Sequence, residues 1–144
     1  MVIWVLIAES SRARIFLVDK PRGPLRELET LAHPKARMHE QELTADLPGR
    51  SFDSAGEARH AMEPNTNPKE REAADFAKRI ARRLDSARTE NNFDKLVMAA
   101  APKFLGRLRK ELSTETLALV TREINKNLVQ LDARTLRRHL PERL

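Results

Sequence analysis

The chain has no cysteine and no tyrosine, one tryptophan, five phenylalanines and four glycines among 144 residues. Without cysteine there is no disulfide, no thiolate metal site and no cysteine nucleophile. Aromatic residues make up 4% of the chain, too few to suggest a stacking platform for single-stranded bases; Phe52 is the one aromatic in loop-type sequence. Gly49 and Gly56 stand alone. They lack the strand, glycine-rich loop and Lys-Ser/Thr helix start that cradle nucleotide phosphates. Long apolar runs are missing too. Val2 to Ala8 is far shorter than the roughly 20 residues a membrane span needs, and no later stretch does better. A cytoplasmic protein without a membrane span is expected.

What is present is charge and enough apolar residues for a core. Hydrophobic residues are 40% of the chain and charged residues 33%. At this length, residues 1–144 read as one domain that buries about 70% of its unfolded surface. Lysine and arginine outnumber the acids 27 to 21, leaving a net charge of +6. Such an excess attracts phosphate-rich or acidic partners over long range.

Val2 to Ala8 is continuously apolar and β-branched, which suits a central strand covered on both faces. Arg12 to Asp19 alternates, with Ala13, Ile15 and Leu17 on one face and Arg14, Phe16 and Val18 on the other, so the two strands form a hairpin. Leu25 to Leu31 reads as a third strand. From 32 to 66 no period is sustained, apart from a turn of helix at Glu40 to Leu47. A connection of that length exceeds the ~12–15 residues usual for a structureless loop, so it is functional, mobile or hides a short helix, and a functional loop is the expectation. Asn67-Pro68-Lys69-Glu70 is a helix start with cap, first-turn proline and first-turn acid. Ala73, Phe76, Ala77, Ile80, Leu84 and Ala87 then form one apolar stripe down to about Arg88.

Phe93 to Ala100 reads as a buried fourth strand. Pro102 opens a helix with Phe104, Leu105, Leu108 and Leu112 inward. Ser113 caps a further helix carrying Leu117, Val120 and Ile124. Leu128 to Leu131 is assigned as the fifth strand, and Asp132 caps the last helix. The later strands follow helices, so they add in parallel by right-handed crossovers. The fold class is α/β: three layers, with a mixed five-stranded sheet flanked by helices. This β-β-β-α-β-α-β order is that of ribonuclease H-like folds.

Several groups of residues bear on chemistry. His60, with an ordinary pKa near 6.5, is the acid/base candidate; Asp53 and Glu63 can orient it, and Ser51 or Ser54 can act as nucleophile. A polar loop histidine bonded to backbone is the simpler account. His33, His39 and His60 with Glu40 and Glu42 match no tight ligand spacing, so no metal site is assigned and no cofactor is implied. A two-metal nuclease is disfavoured because carboxylates do not converge at the strand ends. Arg50 and Arg59 offer planar guanidinium groups to phosphate or carboxylate. On the long helix Lys78, Arg79, Arg82 and Arg83 dominate the second half, and with the loop arginines they define a candidate anion-binding face.

Three segments carry a resemblance: WVLIAESSRARIF at the start, GRSFDSAGEARHAMEP in the middle and FDKLVMAAAPKFLGRLR later. They resemble bacterial host attachment proteins, over nearly the whole chain. That family is similar to the middle domain of archaeal and eukaryotic class 1 release factors, which implies a release-factor-like α/β fold with a loop presented for recognition. The release-factor loop carries Gly-Gly-Gln; here Gln41 has no glycine beside it, so that catalytic tip does not carry over. The resemblance implies a ribosome or tRNA as partner. The resulting expectation is a non-enzymatic RNA-binding module. The alternatives are a hydrolase of peptidyl-tRNA-like esters using His60, Asp53 and Ser54, and a protein-interaction factor affecting attachment.

Overall fold

Six consecutive apolar residues form β1 (Ile3–Ala8), and every one is buried. A strand can bury both faces in this way only in the interior of a sheet. The computed structural model describes residues 1–33 and 67–144. In it β1 is the middle strand of five, in the order β3-β2-β1-β4-β5. β2 (Arg12–Val18) pairs antiparallel with β1, and β3 (Arg26–Ala32) antiparallel with β2. β4 (Lys95–Ala99) and β5 (Val120–Ile124) add in parallel on the other side. β1, β3, β4 and β5 therefore all end at the same edge of the sheet.

α1 (Pro68–Thr89) begins as its sequence predicts. Asn67 accepts the Lys69 amide at 2.8 Å, with Pro68 in the first turn. Its end is set by Asn91, at φ 61°, a left-handed conformation that asparagine tolerates better than most residues. α2 (Pro102–Glu111) and the one-turn α3 (Thr114–Leu117) follow β4, and α4 (Ala133–His139) follows β5.

The alternation of β1 divides the core in two. Trp4, Leu6, Ala13 and Ile15 meet Phe76, Ile80 and Leu84 of α1 and Phe104 and Leu108 of α2. Ile3, Val5, Ile7, Phe16 and Val18 meet Val129, Leu136, Leu140 and Leu144. The result is a three-layer α/β sandwich around a mixed five-stranded sheet.

The fifth strand is displaced from its expected place. Val120–Ile124 is β5, the preceding helix stops at Leu117, and Leu128 to Leu131 is irregular. Val120 and Ile124 lie four apart, a spacing that a helix face and a strand face share. As an edge strand with exposed Thr121, Arg122 and Glu123, β5 shows no alternation to identify it. Leu128 and Val129 are apolar because they cover the second core cluster. Their stretch uses its carbonyls differently: those of Val129 and Leu131 accept from the Arg12 and Arg14 guanidiniums.

Candidate nucleic-acid interface

Helical spacing puts the apolar stripe of α1 inward and its cations outward, and the structure sorts those cations by use. Arg83 grips Glu29 of β3 through Nε and Nη2 at 2.8 to 3.2 Å, and its guanidinium lies over the Trp4 ring at 5.4 Å. Hydrogen bonding to Glu29 raises the Arg83 pKa further. Arg79 donates to the Ala32 carbonyl at 2.5 Å. Both residues tie α1 to the edge strand. Lys78 and Arg82 are exposed and make no hydrogen bond or ion pair among the described residues.

α2 extends this layer. Lys110 is exposed, Arg109 pairs with Glu123 of β5, and Lys103 pairs with Glu70 at 3.1 Å. Together α1 and α2 hold eleven basic and five acidic residues, an excess equal to the net +6 of the whole chain. The remainder of the sequence is therefore neutral in sum, although its charges are not evenly spread. The α2 contribution was open to view in the sequence, where the cations of KFLGRLRK alternate with its apolar stripe.

The layer borders the carboxyl edge of the sheet, where α1 and α2 both begin. An open cleft of about 440 Å³ lies there, lined by Glu9, Ser10, Lys69, Lys103, Phe104 and Arg107 among others. Clefts outside the carboxyl ends of parallel strands are the usual binding place in open α/β sheets. α2 starts at Ala101, which has no side chain to cap it, so its first amides present the positive end of the helix dipole. The Glu9 carboxylate is held by Ser11 at 3.1 Å and Asn127 at 3.2 Å. No group of three metal-ligating side chains occurs among the described residues.

The same edge anchors the long connection at both ends. His33, which leads into it, donates its backbone amide to Ser11. The His33 ring sits 3.1 Å from Glu72 and stacks on Phe76 at 5.3 Å. Asn67, where the described chain resumes, caps α1. Of the His/Glu set considered for a metal, His33 thus has Glu72 as its partner, while His39, Glu40 and Glu42 lie outside the described residues. So do Arg50, Asp53, Ser54, Arg59 and His60, and the expected helical turn at Glu40 to Leu47.

The class of protein is thereby defined as a mixed-sheet α/β sandwich with one basic helical layer. Residues 4–140 match the family described as protein required for attachment to host cells, and the chain belongs to that family. It is 37% identical over 71 residues to the uncharacterised protein RP470 of Rickettsia prowazekii (strain Madrid E). That match takes in 48% of this chain and 47% of the relative, about half of each. Among solved structures, an archaeal translation termination factor, aRF1, is similar at TM-score 0.51 and 14% identity, over 98% of this chain and 35% of the factor. A structure titled only archaeal protein gives 0.48 at 12% identity, over 87% of this chain and 30% of that one. The termination factor shares the fold. No helix among the described residues is long and apolar enough to cross a membrane.

Proposed function

We propose that this chain is a non-enzymatic RNA-binding module that engages the ribosome or a tRNA in the cytoplasm. In this reading residues 1–144 act as one release-factor-like domain, with 32–66 as its functional loop. Attachment to host cells is then an indirect consequence. The observation that carries the reading is the concentration of the whole positive excess in α1 and α2, with Lys78 and Arg82 turned to solvent. These two, with Arg50 and Arg59, are the proposed phosphate contacts; Arg79 and Arg83 add charge while serving as ties. Trp4, Phe16, Phe76, Phe93 and Phe104 are all buried, so the described surface offers no Trp or Phe ring for base stacking. Binding is then through phosphates, sequence-tolerant and steeply salt-dependent.

The test is filter binding of tRNA and co-sedimentation with ribosomes over a salt series. Lys78→Glu with Arg82→Glu is expected to weaken binding and to reduce the slope of log K against log salt by about 1 per lost contact. Affinity and slope unchanged in the double variant would remove the reading. Bound peptidyl-tRNA is expected to stay intact. Turnover that His60→Ala abolishes would replace the binding module with an esterase.

A further inference from the structure

A second cationic surface lies across the sheet from α1 and does not depend on the function proposed above. The β2–β3 connection and α4 border an open groove of about 770 Å³. Leu25, Leu140 and Ala133 give it an apolar floor. Its rim carries Arg22, Arg134, Arg137 and Arg138 against a single carboxylate, Glu142.

Arg137 sets the fixed charge. Its Nε donates to Gly23 O at 2.8 Å, Nη1 to Pro141 O at 2.7 Å, and Nη2 to Glu142 O at 2.7 Å and Pro21 O at 3.3 Å. All four acceptors are backbone carbonyls. The guanidinium is therefore rigid while no carboxylate bonds to it. The Glu142 side chain bonds Arg22 instead, at 3.0 Å, with both groups well exposed. Water screens such a pair, and a competing anion exchanges into it at little cost. Arg134 and Arg138 are exposed and hydrogen-bonded to nothing among the described residues. Their acidic neighbour Asp132 caps α4 through the Thr135 amide at 2.7 Å, and both guanidiniums act on its carboxylate only through space, without a hydrogen bond.

Rim and floor together select the ligand. A phosphodiester strand would match the arginines but leave the aliphatic floor unused, and no aromatic ring lines the groove for its bases. Arg134 and Arg138 are one helical turn apart, a rise of about 6 Å. Carboxylates two residues apart on an extended peptide are separated by about 6.6 Å. The side chain between them points the other way and is left for the apolar surface. We propose that this groove binds a short acidic peptide segment of a partner protein, in which carboxylate and aliphatic side chains alternate.

The test uses fluorescence anisotropy on the full chain at pH 7.5. The probes are labelled octapeptides alternating Glu with Leu, Glu with Ser, and Lys with Leu. The Glu-Leu peptide is expected to bind best. Arg134→Ala with Arg138→Ala should weaken it about tenfold, as two rim charges are lost. Lys78→Glu with Arg82→Glu should leave it unchanged, which separates this groove from the α1 layer. Equal affinity for the Glu-Ser peptide would overturn the proposal, because the floor would then contribute nothing. So would an unchanged affinity in the α4 double variant. A third overturning result is sedimentation with phosphatidylserine vesicles through Arg134 and Arg138 without binding of the Glu-Leu peptide. That would make the groove a lipid-headgroup site.

Discussion

The two faces of the sheet are closed by different physics. On one face, a helix of 22 residues satisfies its own backbone and contributes an apolar stripe. Its arginines divide between ties, Arg79 and Arg83 to β3 and Arg88 to Thr116, and solvent, where Arg82 lies. On the other face, α4 has only seven residues and the chain before and after it is irregular. Irregular chain leaves carbonyls without ladder partners, and buried carbonyls need donors. Arg12, Arg14 and Arg137 are those donors, each directed at main-chain oxygens. One residue type thus does two jobs on both faces: Arg79 and Arg83, like Arg14 and Arg137, fasten the chain, while Arg82, Arg134 and Arg138 stay in water. The arginine count of this protein is accordingly a poor measure of its binding surface.

The contrast is tested hardest at Phe76, fully buried between α1 and the sheet and in ring contact with Phe104 at 6.3 Å. Phe76→Ala is expected to cost about 3–5 kcal/mol in urea unfolding, the range for a large aromatic removed from a packed core. A loss below half of that would mean the helical face is held by something other than its apolar stripe. Arg14→Ala comes next. It removes donors to Val129 O and Leu131 O and the Glu27 pair, with an expected cost of about 1.5–3 kcal/mol for charged hydrogen bonds. Amide exchange should rise selectively in 128–144 and not in α1. Uniform loosening of both faces would dissolve the distinction drawn here.

The smallest effect lies in pH. Glu27 is held below the ordinary glutamate range, first by its hydrogen bond from Arg14 and further by Thr30, against a partial desolvation. A depressed folded-state value means the carboxylate stabilises the fold fully above the unfolded-state pKa. That contribution is lost as pH falls through the folded-state value. Wild type is therefore expected to exceed Glu27→Gln in stability at neutral pH, with the gap closing on acidification. A gap that widens toward acid would reverse the sign and remove the Arg14–Glu27 account.

Much of the fold is readable locally. Val2 to Ala8 declares a central strand by having no polar position, and Asn67-Pro68 declares where α1 starts. β5 is not readable, because Val120 and Ile124 fit two periods and edge exposure erases the alternation between them. The candidate site divides similarly. Lys78 and Arg82 lie where the helical period places them, on the solvent side. Arg79 and Arg83 share that period, yet they reach the edge strand across 47 and 54 residues of sequence.

By itself the sequence determined the central strand, the capped and striped α1, the three-layer class and the excess of positive charge, since each of these depends on neighbours within a turn or two. Only the tertiary structure decided which apolar stretch became β5, which arginines fasten carbonyls and which remain in water. A guanidinium sits on a long flexible stem and binds whatever acceptor the fold delivers. For Arg14 that acceptor, the Leu131 carbonyl, is 117 residues away along the chain.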